Sequence, residues 1–268
     1  MWYEFFKYTL FAPGVRLAWR PWVIGEENIP RHGGAILACN HIEAIDPVLV
    51  AAMISRKLTY PAKKELFEGK GGLGPKVVAW FLKAVDQVPL DRSGGRRSID
   101  GLGPVVQRLE EGGLVGIFPE GTRSPDGRMF KGKTGVARMA LASGAPVVPV
   151  GVVGTEAHRG PLGIPRVDRP GIVVGPPLDF SGLAGRADEL PVLRWVTDEV
   201  MNAIASLTGQ EYVDVYGFRV KYGNLRGADL TRFERSRPGG GPVPGPRREG
   251  DHDGGHGQSP RDHGGARS

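Results

Sequence analysis

Two short stretches bring together residue types that can do chemistry. The first is Asn40-His41-Ile42-Glu43-Ala44-Ile45-Asp46, directly after the apolar run Ala35–Cys39. On a continuous helix, residues five apart diverge by about 140°, so His41 and Asp46 can meet only across a turn. If they do, Asp46 accepts the Nδ1 proton, fixes the tautomer, and leaves Nε2 as a general base. The simpler reading is a loop-edge histidine beside a helix cap, because Asp46 precedes Pro47 and suits an N-cap position. The second stretch is Phe118-Pro119-Glu120-Gly121-Thr122-Arg123-Ser124. Gly121 permits close backbone approach, Thr122 offers a hydroxyl and an amide, and Arg123 offers a planar fork for phosphate. Arg128, Lys131 and Lys133 add positive charge after it. Taken alone, it also reads as a surface turn with solvated charges.

Cys39 shares a strand face with His41 by spacing, which suggests a Cys–His nucleophile pair; a cysteine inside an apolar strand is, however, a packing residue as a rule. His32, His41, His158 and Cys39 show no zinc-ligand spacing, so no metal is expected.

The elements that must position these residues follow from the apolar pattern. Runs at 35–39, 58–62, 87–90, 114–118, 146–154 and 171–175 read as strands. Helical patterns cover 47–55, 74–85, 98–113, 133–144 and 188–209, several of them stopped by glycine. Strands alternating with helices predict an α/β fold with a mostly parallel central sheet flanked by helices. Sites in such sheets form where strands end and helices begin, which is where His41 and the segment after Phe118 fall. The segment Val77-Val78-Ala79-Trp80-Phe81-Leu82-Lys83-Ala84-Val85 is apolar at helical spacing and reads as buried core, with an acyl tunnel or membrane contact as the other roles open to it.

Composition bounds the rest. The chain has 268 residues, 40% of them hydrophobic, with a net charge of +6. That suits one core, and a basic surface able to meet anionic lipid, phosphorylated small molecules or nucleic acid. No apolar run approaches the roughly 20 residues of a spanning helix. Residues 1–24 crowd Trp2, Tyr3, Phe5, Phe6, Tyr8 and Phe11 among basic residues, and are expected to form an N-terminal membrane-interface helix. They lack the aliphatic core and cleavage site of a signal peptide. One folded domain is expected over 25–230, followed by a disordered Gly/Pro-rich tail over 231–268. From Arg235 onward the tail mixes acids with its basic residues and lacks aromatic Phe, Trp and Tyr, which argues against nucleic acid as a partner.

The stretch Asn40–Asp46 fits the Asn-His-x-x-x-x-Asp motif of the glycerolipid acyltransferases, and Phe118–Ser124 resembles their second signature. Between and after them, Ala62–Phe67 resembles the family's Lys-rich block, Asp86–Arg92 a block ending in arginine, and Val148–Thr155 a Pro-containing strand block. The resemblance covers about residues 25–180 and is strongest to the 1-acyl-glycerol-3-phosphate acyltransferases. Pro89 and Leu90 depart from the family's pattern, as does the tail.

The resemblance implies transfer of a fatty acyl group from acyl-CoA or acyl-carrier protein to the sn-2 hydroxyl of lysophosphatidic acid, giving phosphatidic acid for phospholipid biosynthesis. His41 would be the base and Asp46 its partner. Arg123, with Gly121 and Thr122, would hold the acceptor's phosphate, and Glu120 would meet the glycerol or orient Arg123. Lys63, Lys64 and Arg92 would meet phosphate or the carrier. No cofactor is required beyond the thioester donor. The setting implied is the cytoplasmic side of the cell membrane, peripheral or monotopic. The same chemistry on glycerol-3-phosphate, another lysophospholipid or a glycolipid, a thioester hydrolase, and a lipid-binding protein without catalysis are the alternatives.

Overall fold

The computed structural model describes residues 2–90, 100–156, 158–159, 165–167 and 169–245. The chain opens with α1 (Trp2–Phe6), a π-helical turn (Lys7–Phe11) and α2 (Ala12–Trp19). The widened turn sits where Pro13 removes an amide from the helical ladder. Then follow β1 (Trp22–Ile24), β2 (Ala35–Cys39), α3 (Asp46–Met53), β3 (Leu58–Thr59), β4 (Pro61–Lys63), α4 (Leu73–Ala84) and β5 (Val88–Leu90). The second half contains α5 (Gly103–Glu110), β6 (Leu114–Ile117), β7 (Met129–Phe130), α6 (Gly135–Ser143), β8 (Val147–Val153), β9 (His158–Arg159), β10 (Pro165–Arg166) and β11 (Gly171–Val174). It closes with α7 (Leu190–Thr208), β12 (Tyr212–Val213), α8 (Gly217–Lys221) and β13 (Glu234–Arg235).

The main sheet runs β1-β11-β8-β2-β6-β3, and only the β11–β8 pair is antiparallel. The α/β reading with a mostly parallel sheet is therefore correct. β2 lies at the centre and is buried at every position. Its side chains alternate, as a pleated strand requires. Ala35, Leu37 and Cys39 join the core under α2 and α3, while Ile36 and Ala38 join the core under α5, α6 and α7. Two apolar layers thus clamp the strand that ends at His41.

Three expectations change. The run at 58–62 is two short strands, because β3 pairs with β6 while β4 pairs with β5. The helix α4 is not buried core. Val77, Val78 and Trp80 are exposed, while its other face packs against the N-terminal helical segment, through Trp2–Trp80, Phe6–Phe81 and Phe11–Phe81 ring contacts, and against the 3₁₀ turn Lys64–Phe67. The tail does not begin at 231. Residues 234–245 are held against the domain: β13 pairs with β12, Arg237 meets Glu199, Trp195 Nε1 donates to the Gly241 carbonyl, and Arg186 donates to those of Pro244 and Gly245. A Gly/Pro-rich segment needs no core of its own when α7 and the turn before it supply the partners. Residues 246–268 lie outside the described part of the chain.

Candidate active site

β2 delivers Asn40 and His41 to the carboxyl end of the sheet. The buried Asn40 amide behaves like one more peptide unit of the β2–β8 ladder: it donates to the Val152 carbonyl (2.9 Å) and accepts from the Val152 amide (2.7 Å). It also donates to Gln210 Oε1 at 2.9 Å. The chain then turns through 41–45 and enters α3. Asp46 is fully buried, and its Oδ2 gathers three donors: His41 Nδ1 at 2.9 Å, the Ile42 amide at 2.7 Å and the Glu43 amide at 2.8 Å. The carboxylate therefore starts α3 but does not cap it. It points back onto the turn and fixes the imidazole there, so the dyad geometry holds. With Nδ1 donating to Asp46, Nε2 is the nitrogen left to act as base.

The second signature is fastened to the first through the backbone. The Ser124 amide donates to the His41 carbonyl at 2.7 Å, and the His41 amide donates to Glu120 Oε1 at 3.2 Å. Glu120 Oε2 accepts from the Phe130 amide at 3.0 Å. Burial pushes the Glu120 carboxyl up to about 8, against the pull of those amides. Glu120 thus ties β7 to the histidine. Its oxygens do not meet Arg123, whose Nη1 stands 3.6 Å from Glu43 Oε2 instead. Gly121 adopts φ +70°, and a Cβ there would lie 2.8 Å from Lys133 Nζ. The position needs glycine for its left-handed backbone; the lysine tip lying across it is flexible. Phe118 stacks on the His41 ring at 4.2 Å, and Tyr60 stacks on Phe118 at 5.6 Å.

Beside His41 lies an apolar cavity of about 490 Å³. Pro47, Val48 and Ala51 of α3, Phe81 and Leu82 of α4, and Phe6 and Phe11 of the N-terminal segment contribute to its wall. His41, Phe118 and Lys7 also line it. The arrangement sets the His41 ring, held by Asp46, against an apolar slot.

A family model described as Acyltransferase matches residues 20–153. Over 173 residues the chain is 33% identical to a 1-acyl-sn-glycerol-3-phosphate acyltransferase of Bacillus subtilis, covering 61% of this chain and 78% of that one. This chain belongs to the acyltransferase family. A relative of the same name from Borreliella burgdorferi is 30% identical over 150 residues, 56% of each chain. The crystal structure of the 1-acyl-sn-glycerophosphate (LPA) acyltransferase from Thermotoga maritima superposes with a TM-score of 0.54 at 22% identity, over 77% of this chain and 80% of that one, and shows the shared fold.

In this acyltransferase the remaining candidates fall in different places. Cys39 is fully buried beneath the site, and burial holds its thiol protonated far above the usual range, which removes it as a nucleophile. Lys63 ends β4 and Lys64 begins the short 3₁₀ turn after it, both exposed, next to the cavity-lining Pro61 and Ala62. Arg92 lies outside the described residues. Sequence reasoning passed over Asn40, Phe118 and Lys7. Asn40 and Phe118 sit inside the quoted motifs, and their neighbours could have been asked what holds them. Lys7 carried no signal beyond its charge.

Proposed function

We propose that this acyltransferase moves a fatty acyl group from an acyl thioester to the sn-2 hydroxyl of lysophosphatidic acid, giving phosphatidic acid. The observation that carries this is the His41–Asp46 pair, bonded at 2.9 Å, beside an apolar cavity. A hydroxyl is a poor nucleophile at neutral pH. His41 Nε2 takes its proton as the oxygen attacks the thioester carbonyl, and Asp46 stabilises the imidazolium that forms. The tetrahedral intermediate collapses by breaking the C–S bond, and His41 returns the proton to the departing thiolate. The acyl chain lies in the cavity among Phe6, Phe11, Phe81 and Leu82. The acceptor's phosphate lies on the Gly121–Arg123 loop, a placement supported by the bond that ties Ser124 to the His41 backbone. Glu120 acts as a positioning residue. Lys63 and Lys64 suit the anionic part of the donor, acyl-CoA or acyl-carrier protein. The exposed aromatic face of the N-terminal segment rests on the membrane surface, at its cytoplasmic side.

The test is transfer by purified protein in mixed micelles, from labelled oleoyl-CoA and oleoyl-carrier protein in parallel. Lysophosphatidic acid, glycerol-3-phosphate and a choline lysophospholipid serve as acceptors. The expected result is phosphatidic acid, with His41→Ala slowed on the order of 10²–10⁴. Transfer to another acceptor alone reassigns the substrate. Free fatty acid regardless of acceptor means a hydrolase. An unaffected His41→Ala ends the mechanism.

A further inference from the structure

The segment 210–230 follows the part of the chain matched by the family model, yet it folds over the Phe118–Ser124 loop. β12 pairs in parallel with β7. The Met129 amide donates to the Glu211 carbonyl at 2.9 Å, and the Lys131 amide to that of Val215 at 3.1 Å. A small core of Phe130, Val213, Val215, Leu225 and Leu230 locks the two together. Gly217 sits so close that a Cβ would stand 3.3 Å from Thr122 Cγ2. From this platform α8 projects Lys221, whose Nζ donates to the Arg123 carbonyl at 3.4 Å.

The charges around the loop are not equivalent. Lys131 pairs with Asp214 at 2.8 Å. Arg128 is held by Asp126 at 2.7 Å and Glu234 at 2.9 Å. Arg123 faces Glu43 at 3.6 Å, a looser contact. Lys221 meets no carboxylate among the described residues; its contacts are the Arg123 carbonyl and the Tyr222 ring. An ammonium has three donors, so at least one remains for a ligand. A phosphate monoester carries roughly −1.5 to −2 charge at pH 7, more than one guanidinium offsets. A second cation fixed to the backbone of the first is the complement such a group needs.

We propose that Lys221 is a second binding residue for the acceptor's phosphate monoester, supplied by the C-terminal segment and acting beside Arg123. This rests on the reading that the acceptor is phosphorylated. Lys221→Met keeps the stem and removes the charge. Its KM for lysophosphatidic acid is expected to rise about tenfold, the low end for a hydrogen bond to a charged group. Its kcat is expected to stay within about threefold, and Lys221→Arg to restore KM, because it restores charge rather than shape. Calorimetric binding of lysophosphatidic acid in micelles, wild type against Lys221→Met, is measured beside turnover. Weaker binding by the variant supports the site even if the wild type acylates a different acceptor; that result sinks the proposed reaction and keeps Lys221. Equal KM and equal affinity in an active enzyme sink the Lys221 site and keep the reaction. A loss in kcat at unchanged KM also overturns it, and absence of any binding or turnover overturns both.

Discussion

Asp46 gathers three donors on one oxygen, and only one of them bears on chemistry. That separates its structural role from its electrostatic one. In Asp46→Asn, the amide oxygen can still accept from His41, Ile42 and Glu43, so the turn keeps its bonds. The negative charge opposite the developing imidazolium is lost. The expected outcome is a kcat lower by about 10²–10⁴ with KM within a few-fold, and a melting temperature close to wild type. A large stability loss with proportionate activity loss would make Asp46 scaffolding alone. Glu120 gives the opposite case, a carboxyl whose role is to hold backbone. Its ordinary value of 4.5 is raised to about 8 by burial. The folded state therefore binds this proton more tightly than the unfolded chain. Its contribution is present in full below 4.5, fades as pH rises, and is gone above about 8. Glu120→Gln cannot titrate and offers one acceptor where two amides converge. The stability gap between wild type and variant is expected to be largest near pH 5 and to shrink towards pH 8.5, measured by melting both across that range. A gap that stays flat from pH 5 to pH 8.5 would mean that Glu120 is ionised in the fold throughout.

The elements that carry the site were legible where they are long and bounded. β2, β6 and β8 are apolar runs that stop at Asn40, at Pro119 after Phe118, and at Gly154, and α6 and α7 show helical periodicity stopped by Gly144 and Gly209. The strand end, turn and proline-started helix around His41 and Asp46 were legible as local signals, but those signals left a loop-edge histidine beside a helix cap as the simpler reading, and the resemblance to the acyltransferase motif decided for the pair. The partners of Glu120 were not, because a sequence does not say which amides a carboxylate will meet 79 residues away. β12, β13 and α8 escaped notice because elements of 2 to 5 residues have no measurable period. Helix α4 misled because an apolar stripe looks the same whether a core or a cavity lies beneath it. The N-terminal segment and α3 show a dependence invisible in sequence. Lys7 is nearly buried, and its ammonium donates to the carbonyls of Ile54, Ser55 (3.1 Å) and Arg56 (3.4 Å) just past the end of α3. A cation suits a helix C-terminus, and here it latches one cavity wall to another. Lys7→Met leaves those carbonyls without their donor, a cost of about 1–3 kcal/mol. It should appear locally: hydrogen exchange in residues 2–19 is expected to quicken about tenfold or more while β2, β6 and β8 keep their protection. Uniform acceleration would show that the latch supports the whole fold.

At the scale of the molecule, α1 with its π-turn and α4 line the cavity with one set of residues and expose another. Trp2, Phe5, Leu73, Val77 and Trp80 are large, apolar and open to solvent on these neighbouring elements. No helix among the described residues is long and apolar enough to cross a membrane. An apolar face flanked by aromatics, on a chain of net charge +6, matches an anionic bilayer surface. Under the function proposed above, the same elements would have two functions: to close over an acyl chain and to rest on the lipid from which it comes. Phe5 and Val77 test this cleanly, because both are about half exposed, at 53% each, and neither lines the cavity. Each side chain inserted into lipid contributes on the order of 1–2 kcal/mol. The double variant Phe5→Glu with Val77→Glu loses that and meets like charge at the anionic surface. Its partition onto phosphatidylglycerol-containing vesicles is expected to fall at least tenfold, read by sedimentation. Turnover on micellar substrate should change less than threefold, because the His41–Asp46 pair and the cavity wall are intact. If the variant still binds vesicles like wild type, this face is not the membrane contact. If binding holds at low salt and fails at high salt, the basic surface alone carries the association.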